Sequence, residues 1–228
     1  MMISHSRKFV FVKTKKTAGT SIECALAPFL EPGDLTSPLV EHEPGARRYS
    51  KEFVRILREK DATLRARNPH LPYSVVADHF AKETKGYFRF CVERNPWDKA
   101  ISAFFFWISR HGHDTSKTEE ENFLAFAESE RLGFFSDYDL YMKKDKPQVD
   151  RVLRYENLAE EFSQVTDKLG LPEISIGSVR AKGDIRPRES RKLQRFYGAD
   201  LDNGAAKRVE SVFAREIAYF GYTTPEPA

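Results

Sequence analysis

The stretch KTKKTAGTSI, residues 13 to 22, leads from an apolar run into a helix start through a turn of small residues and lysines. That layout suits an oxyanion. Gly19 lets backbone approach closely, the unpaired N–H groups of a first helical turn point at a ligand, and Lys16 adds a mobile positive charge, so a phosphate-like group fits. A second set spans residues 94 to 102. Arg94 follows another apolar run, Asn95 and Pro96 mark a helix start as N-cap and first helical residue, and Ser102 falls about two turns along. An extended arginine can share an anionic ligand with a serine so placed. His79, in the segment ADHF, stands at the tip of a predicted strand, and strand tips are where ligands sit in open α/β sheets. His111 and His113 have no third ligand nearby and read as loop histidines rather than a metal site.

The elements that must position these residues follow from apolar spacing. Phe9 to Val12 reads as a fully buried strand, and Thr20 with Glu23 has the T-x-x-E spacing of a capping box before a helical face of Ile22, Ala25 and Leu26. Residues 31 to 48 hold three prolines and two glycines and read as a surface loop. Phe53, Val54, Ile56, Leu57 and Leu64 recur as in an amphipathic helix. Tyr73 to Ala77 reads as a second strand, Phe88 to Val92 as a third and Val149 to Tyr155 as a fourth. Helices are predicted over Trp97 to Ile108, around Phe123 to Ala127, over Leu158 to Leu169 until Gly170 and Pro172 stop it, and over Val209 to Phe220. This alternation predicts an α/β fold with a mainly parallel β-sheet flanked by helices, in a single domain over residues 1–228. Right-handed crossovers then place both anion turns on one sheet edge.

Composition limits the ligand. The net charge of +3 is mild, but residues 180 to 195 hold seven Lys or Arg against two acids, a local patch that points to an anionic ligand rather than nucleic acid. The 18 phenylalanines, among them those from Phe104 to Trp107 and from Phe134 to Tyr141, fit either a sugar-stacking surface or core. Cys24 and Cys91 lie in apolar settings and read as buried thiols of an intracellular protein. With neither a signal-peptide pattern nor a run of membrane-spanning length, the expected location is the cytoplasm.

KTKKTAGTSI resembles the 5′-phosphosulfate loop of sulfotransferases that use 3′-phosphoadenosine 5′-phosphosulfate (PAPS), whose carbohydrate-directed branch often reads PKTAGTS. FCVERNPWDKAISAF, residues 90 to 104, is similar to that family's second signature, an arginine at a strand end with a serine eight residues on. RYENL at 154 to 158 and EIAYFGY at 216 to 222 look like its later blocks. The resemblance implies a P-loop NTPase-like sulfotransferase fold, PAPS as co-substrate, no metal, and an acceptor hydroxyl, on a carbohydrate by family branch. It makes Lys16 the lysine at the transferring sulfuryl group, and gives Thr17, Gly19, Thr20 and Ser21 to the 5′-phosphate. Arg94 and Ser102 would take the 3′-phosphate, His79 would be general base, and Arg186 and Arg188 would close over the nucleotide. Lys15 departs from the pattern, replacing the usual proline.

Two other readings compete. A P-loop kinase would need G-x-x-x-x-G-K-[ST], which the turn lacks. A non-catalytic binder of anionic glycans would use the basic stretch and need neither His79 nor a nucleotide.

Overall fold

The computed structural model describes residues 1–37, 47–177, 185–187, 190, 192–198 and 203–224. In chain order its strands are β1 (Met2–Ser4), β2 (Phe9–Phe11), β3 (Leu35–Thr36), β4 (Phe88–Glu93), β5 (Met142–Lys143), β6 (Lys146–Pro147) and β7 (Arg151–Arg154). Its α-helices are α1 (Gly19–Leu26), α2 (Arg47–Lys60), α3 (Tyr73–His79), α4 (Pro96–His111), α5 (Glu119–Glu128) and α6 (Tyr138–Tyr141). They continue with α7 (Leu158–Lys168), α8 (Gln194–Tyr197), α9 (Gly204–Val212) and α10 (Ala214–Phe220). The chain divides into two compact units, Met1–Glu93 with Asp139–Lys182, and Arg94–Tyr138 with Gly183–Ala228.

The first unit holds a five-stranded sheet in the order β3-β1-β2-β4-β7. β2 pairs parallel with β4, and β4 parallel with β7, so all three end on one edge. β1 pairs antiparallel with both β2 and β3. The sheet is therefore mixed, with β1 alone running against the other four strands: a tight hairpin at residues 5 to 8 folds the three-residue β1 back on β2, too short a run to show a period in sequence. The core packs Phe11 and Ile22 with Phe90, Leu153 and Phe162. Phe11 and Phe90 lie 5.0 Å apart by ring centroid, and each such buried ring contributes about 2 kcal/mol or more.

Two further expectations change in this unit. The predicted surface loop at 31 to 48 contains the buried edge strand β3, and buried Asp34 accepts from the N–H groups of His5, Ser6 and Glu31. Residues 38 to 46 of it lie outside the described residues. The predicted second strand at 73 to 77 is instead α3, entered from Pro72. Val75 and Val76 suggest a strand by their branching, but both are buried from a helix, and tertiary packing overrides that local preference.

The second unit is helical. Asn95 Oδ1 accepts from the N–H of Trp97 at 3.1 Å and Pro96 opens α4, as the sequence predicts. α5 carries a capping box between Thr118 and Glu121. The predicted last helix is two, α9 and α10, which meet at buried Phe213. Phe104, Phe105, Phe123 and Phe196 form a network of edge-on rings with centroids 5.2–6.5 Å apart. Phe135, Tyr138 and Tyr141 are also buried, so most of the aromatic residues that fit either reading are core, whereas Phe134 is 67% exposed. No helix among the described residues is long and apolar enough to cross a membrane.

Candidate active site

The turn from Lys13 to Ala18 connects β2 to α1, and it is held from within. The Thr14 hydroxyl donates to the Val92 carbonyl, and the Thr17 hydroxyl lies 2.7 Å from that of Thr14. Thr17 is fully buried, so its hydroxyl is spent on the turn. Lys16 and Ala18 both adopt left-handed backbone, with φ of 60° and 61°. Single left-handed residues in such a turn direct successive N–H groups into one concavity, the arrangement that binds anions. The N–H groups of Gly19 and Thr20, which open α1, meet no acceptor among the described residues. Lys15, Lys16, Thr20 and Ser21 are half-buried around them.

Glu23 does not complete the predicted capping box. α1 begins at Gly19 with Ala18 as its N-cap, so Thr20 is already helical and Glu23 falls on the inward face. There its fully buried carboxylate pairs with Lys13 Nζ and accepts from Ser37 Oγ at 3.1 Å. Of the three lysines in the turn, Lys13 is thus structural. Gly19 also has a different reason from the one its sequence suggests. A Cβ there would lie 2.8 Å from Lys13 Cγ and 3.3 Å from the Thr14 carbonyl, so the turn's own packing requires glycine.

His79 ends a helix rather than a strand. Its Nε2 lies 3.8 Å from Asp61 Oδ2 and its carbonyl accepts from Lys60 Nζ at 2.7 Å, contacts that place it at the end of α2. Sequence reasoning passed over His70, whose Nδ1 lies 3.0 Å from the carbonyl of Lys13, at the base of the anion turn. A carbonyl can only accept, so Nδ1 carries the hydrogen and the neutral ring keeps its lone pair on Nε2. The signal was the loop NPHLP: Asn68 Oδ1 accepts from the N–H of His70 at 3.0 Å, a local turn that sets the backbone at the histidine.

In the second unit the predicted anion residues share one carboxylate. Arg94 donates through Nε to Asp98 Oδ2 at 2.7 Å, and Arg186 donates through Nη1 to Asp98 Oδ1 at 2.6 Å. Arg186 also reaches the hydroxyl and the carbonyl of Ser190, at 3.0 and 2.9 Å. Burial pushes the Asp98 carboxyl up, but the two guanidinium groups outweigh it and hold the group below its usual range. Ser102 lies one further turn along α4 and is almost buried. Arg188 lies outside the described residues. No group of three or more His, Cys, Asp or Glu among the described residues could hold a metal ion.

A mixed sheet whose strand end turns into a helix through a loop with left-handed residues, with an arginine directly after the next parallel strand, is a layout suited to phosphate-like groups. Residues 2–170 match the family model described as sulfotransferase domain, and the chain belongs to that family. It is a transferase whose reaction moves a sulfuryl group to an acceptor. The match takes in the turn at 13 to 22, both histidines and the segment from Arg94 to Ser102. The chain is also 35% identical over 95 residues to an uncharacterized protein of Archaeoglobus fulgidus, an alignment covering 39% of this chain and 72% of that one.

Proposed function

We propose that the protein transfers the sulfuryl group of PAPS to a hydroxyl of a carbohydrate acceptor. The observation that carries this reading is the turn before α1, where left-handed Lys16 and Ala18 precede the N–H groups of Gly19 and Thr20, which meet no acceptor among the described residues. The residues present fit the donor. Gly19, Thr20 and Ser21 offer first-turn N–H groups and hydroxyls to the 5′-phosphate, and Thr17 offers its backbone. Arg94 and Ser102 supply the donors for the 3′-phosphate.

PAPS, when bound, supplies an activated sulfuryl group on a phosphate leaving group. Charge builds on the bridging oxygen as that bond breaks, so a cation there stabilises the transition state more than the ground state. That is the role of Lys16. The acceptor hydroxyl must lose its proton during the transfer, and an imidazole near neutrality is suited to take it. Sequence places this role on His79. The tie between His70 and Lys13 favours His70 instead, because it fixes the ring's tautomer against the turn.

The test combines binding and turnover. Calorimetry with adenosine 3′,5′-bisphosphate (PAP), ATP with Mg²⁺ and a sulfated oligosaccharide should show tight binding of PAP alone; ATP preferred over PAP would establish a kinase instead, and glycan binding without PAP a non-catalytic binder. In an acceptor screen with radiolabelled PAPS, Lys16→Ala should lower turnover by roughly 100-fold or more, the scale of losing one charge-stabilising donor. His70→Ala should fall by at least about 100-fold while His79→Ala stays near wild type, and the reverse order would return the base to His79.

A further inference from the structure

Three charged side chains stand in line in the second unit: Arg186, Asp98 and Arg94. Each nitrogen of the Arg186 guanidinium already has a protein acceptor, Ser190 Oγ for Nε, Ser190 O for Nη2 and Asp98 Oδ1 for Nη1. Ser190 is fully buried and its hydroxyl donates to the Pro187 carbonyl, so the anchor at this end is fixed. Asp98 divides its two oxygens, Oδ1 to Arg186 and Oδ2 to Arg94. Arg94 meets Oδ2 with both Nε and Nη2, at 2.7 and 2.5 Å, which fixes the plane of its guanidinium by one edge. The side chain of Arg94 is only 7% exposed, so that plane has little freedom to turn by another route.

From this geometry we infer that Asp98 is a positioning residue for the 3′-phosphate, transmitting the anchorage of Arg186 to Arg94, and that Arg186 acts through Asp98 rather than by closing over the nucleotide. The inference rests on the proposed PAPS reading. Two guanidinium groups this close repel each other, and the shared carboxylate cancels one of their charges. A phosphate then meets an arginine already oriented, with one net positive charge left in the trio. On this account Asp98 is a fixed part of the cradle, not an anion that the phosphate must displace.

The experiment measures the binding of PAP and of adenosine 5′-monophosphate, which lacks the 3′-phosphate, to the full chain. Wild type should prefer PAP; equal affinities would remove the 3′-phosphate assignment itself and the inference with it. Given that preference, Asp98→Asn should weaken PAP by roughly tenfold and leave the monophosphate within about twofold, the loss expected for one misdirected charge-assisted contact. A merely structural role would weaken both ligands together and would overturn the inference, as would tighter PAP binding, which would mark Asp98 as a competitor of the phosphate. Arg186→Gln should reproduce the selective loss, and Asp98→Asn/Arg186→Gln should lose no more than the worse single variant, because both act through one contact. Additive losses would mean that Arg186 touches the ligand directly. Should Asp98→Asn fail to fold, Asp98→Glu with Arg186→Gln supplies the same cycle, with the longer carboxylate expected to keep most of the preference for PAP.

Discussion

At the scale of the residue, three lysines within four positions have separate fates. Lys13 lies against buried Glu23, whereas Lys15 and Lys16 are half-buried at the turn. Glu23 also meets the buried Met1 amino group at 3.2 Å, so Lys13→Met should remove one of its two cationic partners and cost about 1–3 kcal/mol, read as a lower urea midpoint. Lys16→Ala should shift that midpoint by less than about 0.5 kcal/mol. The two variants thus separate folding from turnover. Asp98 gives a pH test: its folded carboxyl sits below the unfolded value of 3.8, so its contribution is present above that pH and is lost as pH falls below it. Urea unfolding at pH ~3 and ~6 should show a larger acid loss for wild type than for Asp98→Asn. Sequence made residue types legible but not always their partners. Nothing in the spacing of Thr20 and Glu23 separates a capping box from a helix whose acid turns inward to a buried ion pair, since both need only an acid one turn into the helix.

The turn before α1 shows which elements could be read in advance. Its strand and its helix were both legible, as was the start of α4 at Asn95 and Pro96. The backbone conformation was not, because alanine and lysine carry no sign of positive φ. Ala18 in left-handed backbone costs about 1 kcal/mol, so Ala18→Gly should leave the melting temperature unchanged or raise it slightly, strain relief offsetting glycine's greater unfolded entropy. Gly19→Ala should lower it by the equivalent of about 1–3 kcal/mol, since the new methyl meets Lys13 Cγ, a carbon that the ion pair to Glu23 keeps from moving aside. α3 was illegible for another reason: seven residues are too few for a 3.6-residue period to outweigh two adjacent valines. With it, His79 was placed on a strand rather than a helix, and the contact of His70 with Lys13 was not legible because a tie to a carbonyl 57 positions away leaves no local pattern.

For the molecule as a whole, the family match ends at residue 170, and the basic stretch at 180 to 195 lies beyond it. Within that stretch Arg186 and Arg195 each face acids of their own unit, Asp98 for the first, Glu119 and Glu120 for the second. Those two arginines therefore belong to ion pairs rather than to a free positive patch. The same unit buries Lys99 against Asp137, both with fully buried side chains. Lys99→Met alone should cost about 3–5 kcal/mol in chemical denaturation, while Lys99→Met/Asp137→Leu should recover most of it, because hydrophobic replacement of both partners removes the desolvation penalty.

The ion pair behind the turn has a consequence for descent. Position 13 cannot lose its charge without leaving position 23 to the Met1 amino group as its cationic partner, and position 19 cannot gain a side chain without moving position 13. Across related chains these three sites should drift as one set, so a chain that has lost the lysine at 13 should also have lost the acid at 23, even where the lysine at 16 is kept.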